Sequence, residues 1–150
     1  MDAIALLKAD HDKVKKMLAD GEETTERAEK TRTELFDKLK SEMLIHERIE
    51  EEIFYPALKS HPKARDIVLE GYEEHHVVDE IMGELEETDV TDETWGAKFK
   101  VMKENIEHHI EEEEGDMFKQ ARQVFDDDEL EDLGRRMEEL KQLGEQVLLA

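Results

Sequence analysis

Four histidines and two glutamates are the residues of this chain whose types and spacing suit them to chemistry. His46 and Glu50, and again His109 and Glu113, are four positions apart, which stacks both side chains on one helix face, one turn apart. Such a pair can chelate one cation or bridge two. His11 and His75 stand alone. Each histidine lies within an apolar stripe: His11 among Ile4, Leu7, Val14 and Leu18; His46 between Leu39 and Ile53; His75 among Val68, Val78, Met82 and Leu85; His109 among Met102, Ile106 and Met117. An ionised carboxylate inside such a stripe is unfavourable by several kcal/mol unless it is paired or coordinated. No Lys or Arg shares the stripes beside Glu50 and Glu113, so a metal cation is the simplest compensation.

Taken singly, each signal has a plainer explanation. A lone histidine on an apolar face is more often a hydrogen-bonded core residue than a ligand. A chain with 43 Asp and Glu produces His-x-x-x-Glu by chance, and residues 111–114 alone read as a solvated charge run. The constellation reverses this, because one inward histidine per helix and two inward carboxylates use up four of only seven histidines. His61 falls in a turn, and His76 and His108 are rotated by about 100° from their neighbours, so these three are expected to face solvent.

The chain has no cysteine, which excludes thiolate zinc sites, iron–sulfur clusters, disulfides and thiol catalysis. Mixed imidazole and carboxylate donors suit iron, zinc or manganese. Six donors exceed the four of a zinc site. Two six-coordinate ions offer about twelve positions, of which four imidazoles, two bridging carboxylates and one bridging oxygen fill about ten. Positions remain for a small ligand.

The elements that must carry these residues are helices. Glu, Lys, Leu, Met and Arg dominate, only two prolines occur, and apolar residues recur at helical spacing. The expected helices cover residues 2–20, ended by Gly21; residues 24–59; residues 62–87, opened by Pro62; and a helix running to residue 125 after a turn at 88–91. Asp126 to Glu129 forms an acidic cap for a shorter fifth helix extending to residue 149. Such short connections imply an all-α, up-down-up-down antiparallel four-helix bundle. Residues 1–125 form the bundle, and residues 126–150 a capping or interaction helix of the same domain. A weak repeat supports two equivalent hairpins: the segment around Asp10-His11 matches Glu74-His75 at an offset of 64, and His46, Glu50 and Glu51 match His109, Glu113 and Glu114 at an offset of 63.

A chain of 150 residues fits one domain, burying about two-thirds of its extended surface on folding. The formal charge of -22 repels phosphate backbones and anionic lipid alike, so no nucleic acid or membrane partner is expected, and the protein should be a monomer or weak dimer. Neither an apolar stretch of the ~20 residues that span a bilayer nor a secretory leader is evident, which leads us to expect a cytoplasmic protein.

Taken in order, LLKADH with His11, IHERIEEEIFYPAL with His46 and Glu50, YEEHHVVDEIM with His75, and IEHHIEEEEGDMF with His109 and Glu113 resemble the hemerythrin family. The resemblance is to its bacterial members with a His-His-Glu cation-binding domain, and it covers residues 4–125. It implies two non-heme irons bridged by carboxylate and oxygen, with dioxygen, nitric oxide or peroxide as the small-molecule ligand. This sequence departs from the oxygen-carrier pattern in lacking a second histidine one turn from His75, where Gly71 and Asp79 stand. The position is either open to solvent or filled by a substitute, for which Glu47 is the first candidate, by similarity to members that use the glutamate after the histidine; Asp79 and Tyr55 follow. Two functions compete. One is a module that binds, senses or scavenges a small molecule; the other is a di-iron enzyme with catalase-like peroxide decomposition or nitric oxide reduction. Ferritin-like storage fits the short connections poorly, and a metal-free scaffold is the plainest alternative.

Overall fold

The computed structural model describes the backbone of residues 1–149 and the side chains of residues 1–147, and no strand occurs among them. The helices are α1 (Ala3–Glu22), α2 (Glu29–Ile49), α3 (Tyr55–Lys59), α4 (Arg65–Glu87), α5 (Trp95–Glu112), α6 (Phe118–Val124) and α7 (Asp127–Leu149). A π-helical turn at Glu50–Phe54 joins α2 to α3, and a second at Glu113–Met117 joins α5 to α6. Pro62–Ala64 forms a short 3-10 turn before α4. No helix is long and apolar enough to cross a membrane among the described residues.

Several boundaries differ from the sequence expectation, each for a local reason. α1 continues through Gly21 instead of ending there, because this glycine is a point of close approach: a Cβ would collide with Phe99 and Leu35. α2 begins at Glu29, not at residue 24. Thr24 is occupied in the connection, donating its hydroxyl to the Gly21 carbonyl at 2.7 Å and accepting from Arg32 at both its hydroxyl (2.9 Å) and its carbonyl (3.0 Å). Arg32, itself buried, also donates to the Val90 carbonyl at 2.7 Å and lies 4.4 Å over the Trp95 ring. One guanidinium thus ties the α1–α2 and α4–α5 connections together. α5 starts at Trp95, later than expected, because Asp89 and Asp92 capture the N–H and hydroxyl of Thr91 and Thr94 in successive turns at 2.7–2.9 Å.

The two π turns were not expected from sequence. Each closes on the carbonyl of a glutamate from a His-x-x-x-Glu pair, Tyr55 N–H donating to Glu50 and Phe118 N–H to Glu113. Pro56 has no N–H to contribute and follows the first wide turn directly, so the chain stays helical through it.

Apolar side chains collect in two separate clusters. One contains Leu7 of α1, Ile49 and Tyr55 around the first π turn, Val68 of α4 and Phe118 of α6. The other contains Val14 and Leu18 of α1, Phe36 and Met43 of α2, Val78 and Met82 of α4, and Phe99 and Ile106 of α5. α1 and α4 pass from the first cluster to the second; α2 returns to the first, and α5 returns through the second π turn and α6. His11, His46, His75 and Glu113 lie where the chain passes between the two clusters, with Glu50 and His109 adjoining cluster members Ile49 and Ile110, and together they form a polar layer with an apolar core on either side. α7 lies against α1 and α2 and adds Leu130, Leu133 and Met137 to the first cluster. Its stripe then runs out to solvent, with Leu143 exposed. Asp126 and Glu129 cap it reciprocally, each side chain accepting the other's backbone N–H at 2.8 and 3.1 Å.

Candidate metal centre

The polar layer brings together His11, His46, Glu50, His75, His109 and Glu113, all of them buried. Their donor atoms fall into two groups, within each of which every atom lies within 4.8 Å of the others: His11, His46, Glu50 and Glu113 form one, and Glu50, His75 and His109 the other. Glu50 is shared. Its Oε1 is 3.1 Å from Nε2 of both His46 and His75. Glu113 spans the same division with two oxygens, Oε1 at 3.1 Å from His11 Nε2 and Oε2 at 3.2 Å from His109 Nε2. Both carboxylates therefore touch one histidine of each hairpin.

Buried polar atoms normally find hydrogen-bond partners. Here His11 Nε2, His46 Nε2, Glu50 Oε2 and Glu113 Oε1 have none, although they face one another. The approaches of His11 and His109 to Glu113 and of His46 to Glu50 lack hydrogen-bond alignment, as expected of lone pairs directed at a common point, whereas His75 Nε2 and Glu50 Oε1 retain it. The residues present therefore fit a pair of cations. Burial lowers the imidazole pKa of His46, but the charge of Glu50 and the hydrogen bond to Asp10 outweigh it and raise the pKa to about 10. Burial is likewise outweighed at His75 by Glu50 and Glu51, giving about 9. At Glu113 burial pushes upward, yet Glu50, His109 and His11 hold the carboxyl well below its usual range.

The outer nitrogens are all engaged. His11 Nδ1 donates to Glu114 at 2.7 Å, His46 to Asp10 at 3.1 Å, His75 to Glu51 at 2.9 Å and His109 to Glu74 at 2.7 Å. Such outer carboxylates fix ring orientation and tautomer and raise basicity at Nε2. Sequence reading missed these roles, yet the repeat carried the signal. Asp10 and Glu74 are equivalent positions, as are Glu51 and Glu114, and each serves the histidine of a neighbouring helix.

Tyr55, a secondary candidate from sequence, projects directly into the centre. Its hydroxyl donates to Glu113 Oε2 at 2.6 Å and lies 3.4 and 3.5 Å from Nε2 of His75 and His109. Gly71 makes the room: a Cβ there would stand 3.0 Å from the hydroxyl and 3.1 Å from the ring carbon bearing it. The tyrosine occupies the space beside His75 that Gly71 leaves open. Its repeat counterpart is Phe118, which stacks on His11 (centroids 6.0 Å apart) as Tyr55 stacks on His75 (5.3 Å). The Tyr55 hydroxyl is one point at which the two halves differ.

Glu47 is buried but stands in a separate group with Glu51 and His75. Burial and the adjacent Asp79 raise its carboxyl pKa to about 9. Asp79 is exposed. His76 and His108 are exposed and pair with Glu80 and Glu112 of their own helix, as expected. His61, expected in solvent, is half-buried against the edge of Phe125 at 5.3 Å.

A cavity of about 10 Å3 adjoins the four histidines on the side of the second apolar cluster, walled by Val14, Met43, Val78, Ile106 and Ile110. That is near the lower limit for a single water. Tyr55 belongs to the first cluster, so the centre has one apolar face and one protic face.

The Hemerythrin HHE cation binding domain profile matches residues 2–121. The fold is similar to the crystal structure of a Hemerythrin HHE cation binding domain-containing protein, described as the Rv2633c homolog from Mycobacterium kansasii. The TM-score is 0.86 with 30% identity, over 99% of this chain and 90% of that one. No curated protein matches the sequence. With a matching profile over most of its length and the histidine–glutamate layer in place, the chain belongs to the hemerythrin HHE cation-binding family.

Proposed function

We propose that His11, His46, Glu50, His75, His109 and Glu113 hold two iron ions with a bridging oxygen, and that the protein binds dioxygen or a related small molecule, nitric oxide or peroxide. The observation that carries this reading is the pair of donor groups sharing Glu50, with four buried donor atoms unpartnered. When bound, an iron pair supplies reversible electron exchange with a small oxidant. The chain's own residues supply the rest. Glu50 and Glu113 neutralise charge from between the two positions, and the outer carboxylates hold each imidazole in register. Val14, Met43, Val78, Ile106 and Ile110 exclude bulk water from the cavity and restrict it to very small molecules.

The alternative is a di-iron enzyme with catalase-like peroxide decomposition or nitric oxide reduction, and Tyr55 favours it. A carrier needs a centre without proton donors, whereas the Tyr55 hydroxyl places one proton within 2.6 Å of Glu113. Tyr55 also stands nearer the centre than Glu47, and is the stronger candidate for the position of the absent histidine. Glu47 remains a ligand candidate only through movement toward the pair.

We read the bundle as up-down-up-down, supported by the order in which the helices visit the two cores. Residues 1–125 form this bundle, and residues 126–150, of which Ala150 lies outside the described residues, a capping or interaction helix of the same domain. A cytoplasmic monomer or weak dimer that avoids nucleic acid and membrane agrees with the charge of -22. The test is an absorption spectrum with elemental analysis, recorded anaerobically and then in air. Two irons per chain and an oxygen-dependent band are expected. Protein that stays metal-free after iron supply would overturn the reading.

A further inference from the structure

The four outer carboxylates are not equivalent. The side chains of Glu51, Glu74 and Glu114 are partly exposed, whereas that of Asp10 is only 6% exposed. Among the described residues, Asp10 is also the one whose second oxygen is bound by a cation, since Lys141 of α7 donates to Oδ1 while His46 donates to Oδ2. Lys141 is mostly buried, with 21% of its side chain exposed, and its neighbour one turn back, Met137, is fully buried in the first apolar cluster. The lysine is thus rooted on a packed part of α7. It also lies beyond residues 2–121, the segment matched by the family profile. The repeat counterpart of Asp10, Glu74, has no lysine partner among the described residues.

We propose that Lys141 is a positioning residue that acts through Asp10 on His46, so that α7 sets the electronic character of the His11–His46 half of the centre. This rests on the two-iron reading above. The ammonium acts in two ways of the same sign. An ammonium on Asp10 makes the carboxylate a weaker acceptor for the His46 Nδ1–H, so the imidazole is a poorer donor at Nε2. The ammonium also adds positive charge beside a layer with little water to screen it. Both disfavour further positive charge at that half, and both raise its reduction potential. The lysine also restrains the Asp10 carboxylate, and through it the plane of the His46 ring.

The test is the midpoint potential of the iron-loaded full chain, read spectroelectrochemically, in wild type and four variants. Lys141→Met is expected to shift the potential downward and Asp10→Asn upward, with Lys141→Arg close to wild type. Lys16→Met is the control for general surface charge, because Lys16 pairs with Asp20 of its own helix at 2.9 Å and lies outside the relay. Opposite shifts in the Lys141 and Asp10 variants support the proposal in a way that simple destabilisation cannot mimic. A Lys141→Met potential equal to wild type, or a Lys16→Met shift as large as that of Lys141→Met, overturns it. The wild-type iron content is measured first: an absent pair refutes the two-iron reading and this inference together, whereas a pair with unmoved potentials refutes this inference alone.

Discussion

Tyr55→Phe isolates one hydroxyl at the centre, and the structure sets the size of its effect. The ring itself should be tolerated, because Phe118 already stacks on His11 in the equivalent position. What is lost is a 2.6 Å hydrogen bond to Glu113, a fully buried ionised carboxylate. Hydrogen bonds to charged groups contribute about 1.5–3 kcal/mol. Glu113 Oε2 keeps His109 at 3.2 Å, so the lower half of that range applies, about 1.5–2 kcal/mol. For a chain of this size each kcal/mol moves Tm by about 2–4 °C, which gives a fall of about 3–8 °C in metal-free protein. In iron-loaded protein the cations satisfy Glu113 independently, and the shift should be clearly smaller. Paired calorimetric melts of both forms measure this. In the same preparations, peroxide consumption should drop by about 100-fold if Tyr55 serves as the proton donor of a turnover site. Equal Tm shifts with and without iron would refute the link between Tyr55 and the charge state of Glu113, and undiminished peroxide consumption would remove the argument for an enzyme.

Other expectations follow from individual contacts. Glu50→Ala removes the carboxylate common to both donor groups, and iron per chain by elemental analysis should fall below that of any single-histidine variant. Iron uptake should release protons, because His46 and His75, with pKa values raised to about 10 and 9, are charged at neutral pH in the metal-free protein. Binding should therefore tighten as pH rises from 6 toward 9, and titrations in buffers of different ionisation enthalpy would count the protons released. Gly71→Ala places a methyl 3.0 Å from the Tyr55 hydroxyl and 3.2 Å from Met117, an overpacking expected to lower stability by about 1–3 kcal/mol and to disturb the iron spectrum. Arg32→Ala strips the connections at Thr24 and Val90 of their shared donor, and should cost about 2–3 kcal/mol in denaturant unfolding while leaving iron content unchanged.

Reading the sequence went furthest where one physical demand acted on many positions at once. The helices, their apolar stripes and the inward direction of His11, His46, His75 and His109 follow from periodicity, because each stripe must be buried and whatever lies on it is buried too. Boundaries were less legible. Whether Thr24 opens a helix depends on Arg32, eight residues away, and on Val90 across the bundle. Whether Gly21 ends α1 depends on how closely Phe99 approaches. The two π turns insert one residue each without any composition that marks them.

What the sequence by itself determined is an all-helical chain of the hemerythrin family, with a histidine layer repeated in two hairpins. Helical spacing and burial are properties of local segments, and the repeat doubles each signal. What only the tertiary structure decided is how the two halves differ. Gly71 and Tyr55 are sixteen residues apart on different helices, and only packing reveals that the missing side chain of one admits the hydroxyl of the other. Lys141 and Asp10 are separated by 131 residues, and no spacing rule connects them. The donors were fixed by periodicity; their protonic and electrostatic setting was fixed by which distant side chains the fold brings against them.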